Sequence, residues 1–113
     1  MADSPNIALT YLEEGQANAE VTVNDGWNRL DLLGAQAIID RDLTAPPGSP
    51  AEGDVYLIAT GGTGDWSGHD GELTGYYSGW IFQTVTEGRM FRVKDENIWI
   101  GWNGATWNTF TVT

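Results

Sequence analysis

His69 is the only histidine of the chain, so a serine- or cysteine-type triad would have to use it as its base. Ser67 lies two residues away, in the stretch Gly61-Gly62-Thr63-Gly64-Asp65-Trp66-Ser67-Gly68-His69-Asp70. Neighbours in a loop rarely reach the geometry of a nucleophile and its base. The chain also has no cysteine and no Gly-x-Ser-x-Gly elbow. The expectation for His69 is a loop histidine that hydrogen-bonds nearby backbone. Asp65, Asp70 and Glu72 flank the same loop, and carboxylates there could offer oxygen ligands to calcium, but their spacing matches no calcium loop. A glycosidase pair is set in space rather than in sequence, and nothing singles out two of the sixteen acids. Gly61-Gly62-Thr63-Gly64 resembles a phosphate loop, yet no lysine and no helical pattern follow it. The glycines instead suit a loop with positive φ angles. No catalytic residue, metal or cofactor is assigned.

The second chemistry available is aromatic. Six Trp, four Tyr and three Phe are a heavy load for 113 residues. Trp66, Trp99, Trp102 and Trp107 fall in or beside turns and on short strands, where indole faces could stack on sugar rings. The competing role is packing, because each such ring buries roughly 150–250 Å² and a few of them dominate a small core.

Composition narrows the partners. Sixteen acidic against five basic residues give a formal charge of −11. That disfavours nucleic acid and anionic membrane surfaces, both of which need clustered Lys and Arg. Without cysteine there is neither a disulfide nor a thiolate metal site. Met1-Ala2-Asp3-Ser4-Pro5-Asn6 lacks the basic start of a signal peptide. No apolar run approaches the ~20 residues that span a bilayer.

The elements that must position these residues read as follows. Residues 1 to about 12 look extended, with Ile7-Ala8-Leu9-Thr10-Tyr11-Leu12 needing a surface to lie on. Trp27, Leu30 and Leu33 predict a short helix over about 24–33, capped by Asn24 and stopped by Gly34. Asn28 and Asp31 would lie one turn apart on it and could share a partner. Gln36–Asp40 is a short strand candidate, and Pro46, Pro47 and Pro50 make a stiff connection. Val55-Tyr56-Leu57-Ile58-Ala59 is apolar on both faces and predicts a strand covered on both sides, at the centre of the core. From Leu73 onward a meander is predicted: 73–77 pairs with 80–85 through a two-residue Ser78-Gly79 turn. Then come 90–93, a half-buried strand with Phe91 and Val93 facing one way and Arg92 and Lys94 the other, 98–102, the Asn103-Gly104 turn and 107–112. Gly75-Tyr76-Tyr77-Ser78-Gly79-Trp80 with Val85 is echoed by Gly101-Trp102-Asn103-Gly104, Trp107 and Val112, as two hairpins of one design would require.

Particular residues carry a resemblance. They are Asp40-Arg41-Asp42-Leu43-Thr44-Ala45-Pro46-Pro47, Ser49-Pro50-Ala51-Glu52-Gly53-Asp54 with Tyr56 and Ile58, and Gly64-x-Trp66-x-Gly68-His69-Asp70-Gly71. Gly79-Trp80-x-Phe82, Glu87-Gly88 with Val93, and upstream Gln16-Ala17, Val21-Thr22-Val23-Asn24 and Leu30-Asp31 extend it over most of residues 15–107. Together they resemble a bacteriophage family, a domain of unknown function found in phage tail and fibre proteins and in gene-transfer-agent particles. Members are often parts of longer chains, whereas this sequence ends at Thr113; whether it is a whole head or tail fibre protein or an attachment domain without a shaft stays open.

The resulting expectation is a mainly β protein, a small antiparallel meander or sandwich-like domain with one short N-terminal helix. Residues 1–33 would form an anchoring segment and residues 34–113 a Trp-rich β domain. The resemblance implies a non-catalytic virion protein, made in the host cytoplasm and placed in a head or tail fibre. It further implies a homotrimer that touches other virion proteins through its N-terminal segment and contacts a host surface glycan through the β part. The alternatives are a soluble carbohydrate-binding module and a small glycan hydrolase.

Overall fold

A computed structural model of the chain describes residues 3–11 and 19–111. Leu12 and Val112, the ends of two expected segments, lie outside the described residues, as do Gln16 and Ala17. The protein is mainly β, with seven strands in two sheets and one α-helix among the described residues. Helix α1 (Ala19–Gly34) is followed by β1 (Ala37–Ile38), β2 (Val55–Leu57) and a single 3-10 turn (Gly64–Trp66). The chain continues through β3 (Leu73–Tyr76), β4 (Trp80–Gln83), β5 (Met90–Val93), β6 (Ile98–Trp102) and β7 (Trp107–Thr111). One sheet runs β1-β5-β6-β7 and the other β2-β3-β4. Every pair is antiparallel except β1 with β5, which places Ala37 beside Arg92 and Ile38 beside Val93 in parallel.

The segment after β1 ties the sheets together. Ile39 N donates to Val55 O at 2.8 Å, Leu57 N to Asp40 O at 3.2 Å, and Ala59 N to Leu43 O at 3.1 Å. One run of chain therefore satisfies β5 on one side and β2 on the other. Arg41 fixes it further with two bonds to the Glu96 carboxylate, at 2.7 and 2.9 Å.

Strand β2 divides the interior, as its doubly apolar sequence predicts. Val55 and Leu57 enter a core with Leu32, Ile38, Leu73, Phe91, Val93 and Ile100. Tyr56 and Ile58, on the opposite face, join Trp66, Trp80 and Phe82. The alternating side chains of one strand thus serve two clusters. Residues on both sides of position 33 share the first core, since Leu32 of the helix lies in it.

Four expectations are corrected. The helix starts at Ala19, not Asn24, because Asn24-Asp25-Gly26 continues the helix instead of capping it; Arg29 Nε bonds Asp25 Oδ2 at 3.1 Å one turn away. Its buried face centres on Leu32, 0 % exposed, with Leu33 packed against the same core, and Leu30 of the expected stripe is 46 % exposed. Residues 3–10 are not extended but fold back on themselves, with Ser4 N donating to Leu9 O at 2.8 Å and Ala8 N to Ser4 O at 2.9 Å. Ala8 takes φ 57° to make that turn. The β3–β4 turn holds Tyr77, Ser78 and Gly79, since Tyr76 pairs with Trp80. The internal repeat appears as two cross-strand aromatic pairs: Tyr76–Trp80, centroids 5.2 Å apart, and Trp102–Trp107, 5.1 Å apart.

Candidate functional site

The glycine-rich loop is built around Trp66. Asp70 accepts from Gly61 N at 2.9 Å and from Gly62 N at 2.8 Å, closing the loop like a clasp. Those two backbone bonds hold the Asp70 carboxyl below its ordinary pKa. Gly71 N returns to Ile58 O at 2.9 Å, and Thr63 N is held by Thr44 O at 2.8 Å. A side chain at Gly62 would place its Cβ 2.6 Å from the Trp66 carbonyl oxygen, which is why glycine stands there. Trp66 is thereby pressed between Tyr56, at 5.6 Å, and the edge of Trp80, at 5.3 Å.

Trp66 is 0 % exposed, with Tyr56 and Trp80 packed against it, so the expectation that it stacks on a sugar is corrected. Its Nε1 has no hydrogen-bond acceptor among the described residues. The other three tryptophans are half-buried and do not form one platform with it. Trp102 and Trp107 face each other across β6 and β7 with rings tilted by 51°, and Trp107 also packs on Phe91 at 6.2 Å. Trp99 lies on the opposite face of β6, beside Arg92 of β5. Met90, Gly101 and Asn108 of that face line a shallow groove of about 330 Å³ together with Gly88, Trp102 and Asn103; Trp99 is not among its lining residues. Gly101 is its floor, because it pairs with Met90 on one side and Asn108 on the other and contributes no side chain.

His69 stacks flat on Phe82, with centroids 3.6 Å apart and planes within 3°, and its Nδ1 lies 2.8 Å from Glu72 Oε1. No Ser67–His69 bond exists among the described residues. Asp65, Asp70 and Glu72 do not converge: Asp70 holds the loop and Glu72 holds His69. The carboxylates that do converge are Asp40, Asp42 and Asp95, whose oxygens lie within 4.8 Å of one another and could ligate a hard cation. Burial first, and then the charge of Asp40, raise the Asp95 pKa. Glu96 next to it is lowered by its hydrogen bond from Arg41.

A site the sequence did not disclose lies at the N-terminal loop. Asp31, 0 % exposed, accepts from Asn6 N at 2.9 Å, Ile7 N at 2.7 Å and Tyr77 Oη at 2.7 Å. Asn28, one turn away, accepts from the Tyr11 hydroxyl. The two helix residues do share a partner, which is the N-terminal segment. The spacing of Asn28 and Asp31 was the available signal; nothing in the sequence named the segment they hold.

No curated protein matches the chain. A family model described as a protein of unknown function, DUF2793, matches residues 23–108, which include the crossing segment, the Trp66 loop and both aromatic hairpins. By that match over most of its length, the chain belongs to the DUF2793 family.

Proposed function

We propose that this chain is a non-catalytic structural component of a phage-like particle, a head or tail fibre or attachment protein that assembles as a homotrimer. The N-terminal segment would dock on other virion proteins and the Trp-rich β part would face the host. The observation that carries this reading is where the motif residues go. Those responsible for the resemblance to phage tail and fibre proteins are engaged by other groups of the same chain. Arg41 grips Glu96, Asp70 closes the loop, His69 lies on Phe82, and Trp66 fills the second cluster. A motif whose polar groups are occupied internally supports a holding role. A hydrolase would need two carboxylates facing a cleft; the Gly101 groove is lined by none, and Glu52 and Asp54, which line a second pocket, accept hydrogen bonds from Ser78 and from Ala51 N. Exposed Ile7 and Leu30 offer apolar surface for neighbouring subunits.

Mass spectrometry of purified particles tests the placement, and sedimentation of the isolated chain tests the assembly. The expected results are co-purification with particles and a trimer. Absence from particles would overturn the virion role, and a strictly monomeric species at high concentration would overturn the fibre assignment. The second reading, a soluble carbohydrate-binding module, is favoured by the groove beside Trp99 and Trp102. Glycan binding without particle association would select it.

A further inference from the structure

The chain's positive charge is not spread over its surface. Three of its five basic residues, Arg89, Arg92 and Lys94, fall on or beside β5. The other two are paired, Arg29 with Asp25 and Arg41 with Glu96. Among the described residues, no carboxylate lies within ion-pair distance of Arg89, Arg92 or Lys94. Phe91 and Val93 are buried, so strand alternation turns Met90 and Arg92 outward. Register then sets Arg92 beside Trp99, and Gly101 between Met90 and Asn108. A cation, an aromatic ring, an exposed amide and a glycine-floored groove thus adjoin on one face. Arg89 stands between Gly88 and Met90, two residues of the groove wall.

We propose that this outer face of β5-β6-β7 binds an acidic saccharide, a glycan whose sugars carry carboxylates. The proposal rests on the reading that the β part contacts a host surface, and names what it would contact. Arg92 holds the carboxylate, since a guanidinium fork matches it with paired charge-assisted bonds. Arg92 donates to Asn97 Oδ1, which fixes its side chain and leaves further N–H groups free. Trp99 and Met90 supply apolar contact for ring C–H groups, and the Asn108 amide, both donor and acceptor, reads hydroxyls. The groove's volume of about 330 Å³ falls at the small end of ligand pockets, about 300–1,000 Å³. The chain's net charge of −11 repels anions at long range, but that field is screened beyond about 8 Å at physiological salt. At contact the Arg92 guanidinium, which meets no carboxylate among the described residues, decides the sign.

The test uses the isolated full chain, so its failure is separate from absence of the chain from particles. The probes are an oligogalacturonate and its methyl ester, followed by amide chemical shifts and tryptophan fluorescence. The free acid is expected to shift residues 88–92 and 99–108, to bind more weakly as salt rises, and to exceed the ester by about tenfold, or ~1.4 kcal/mol. Arg92→Gln and Gly101→Val, the second filling the groove, are each expected to lose about tenfold in affinity with an unchanged melting temperature. Equal binding of acid and ester would overturn the proposal, as would shifts confined elsewhere or no shifts at millimolar probe. If Arg92→Gln instead dissolves a self-association of the chain, the face is an interface between copies and the glycan assignment falls.

Discussion

Tyr77, in the β3–β4 turn, donates its hydroxyl hydrogen to Asp31 Oδ2 of the helix at 2.7 Å, inside the protein. Asn6 joins the pair: its backbone N–H reaches the same carboxylate at 2.9 Å, and its side chain donates to Tyr77 Oη at 3.1 Å and to Gly53 O at 3.2 Å. Helix, turn and N-terminal loop meet at one buried charge. Burial alone would raise the pKa of Asp31; hydrogen bonds from Ser4, Tyr77 and the backbone of Ile7 and Asn6 together outweigh it and hold the carboxyl below its ordinary value. Tyr77 moves the other way, raised first by burial and then by Asp31.

Removing the acceptor strands every donor around it. Asp31→Ala is expected to reduce the free energy of unfolding by about 3 kcal/mol, and Tyr77→Phe, which removes one bond, by about 1–2 kcal/mol. Urea denaturation measures both. A loss below about 0.5 kcal/mol for Asp31→Ala would mean that docking the N-terminal loop adds nothing to stability.

The same carboxylate sets an acid limit. A group with a depressed folded pKa contributes stability that is full above its unfolded pKa, about 3.9 for Asp, and vanishes as pH falls through the folded value. Asp31, Asp70 and Glu96 share that sign. Asp95 has the opposite sign: its raised pKa favours the fold at low pH, and that contribution is lost as pH rises through the folded value. Three against one, the melting temperature is expected to drop below about pH 4, less steeply in Asp31→Asn. Asp95→Asn is expected to raise it slightly at neutral pH. Thermal melts across pH read both slopes, and a flat acid limb in the parent protein would contradict the assignment.

Much of this arrangement was legible where local chemistry had one solution. Val55–Ile58 could only be covered on both faces, and Phe91 and Val93 could only face inward beside Arg92. Asn103-Gly104 marks a turn because Gly104 takes φ 97° and Asn103 Oδ1 accepts from Ala105 N and Thr106 N, both at 2.8 Å. What stayed hidden depended on distant partners. Leu30 and Leu32 are equal in hydrophobicity; Gly75, whose missing side chain leaves room for Leu32 Cδ1 and the Tyr77 ring, decides between them. Asp31 reads as a surface acid until the N-terminal loop brings its N–H groups. Trp66 reads as a loop tryptophan because the rings that cover it come from β2 and β4.

Gly26 gives a test in the stabilising direction. It lies within α1, is exposed, and a Cβ added there would meet nothing within 4 Å. Glycine in a helix interior costs about 0.5–1 kcal/mol relative to alanine through its greater freedom in the unfolded chain. Gly26→Ala is expected to raise stability by about that amount, with the helix running unbroken from Ala19 as its Arg29–Asp25 bond indicates. Destabilisation would place Gly26 at a helix start, as the Asn24 cap expectation had it.

Gly62 gives the opposite result from the same substitution. Its Cβ would meet the Trp66 carbonyl oxygen at 2.6 Å and Asp70 Oδ1 at 3.0 Å, and the first of these is backbone with nowhere to move. Gly62→Ala is expected to cost about 1–3 kcal/mol as overpacking and to shift the Trp66 indole resonance. Trp66→Ala, which empties the second cluster, is expected to cost about 3–5 kcal/mol. Because Trp66 lies among Tyr56 and Trp80 and not on the β5-β6-β7 face, both variants are expected to leave saccharide binding intact in the fraction that folds. Guanidinium melts followed by tryptophan fluorescence give the stabilities, and binding isotherms at low temperature give the rest. If Trp66→Ala abolished binding while the fold persisted, the loop and the groove would be one site, and the separation of a structural tryptophan from the exposed face would be wrong.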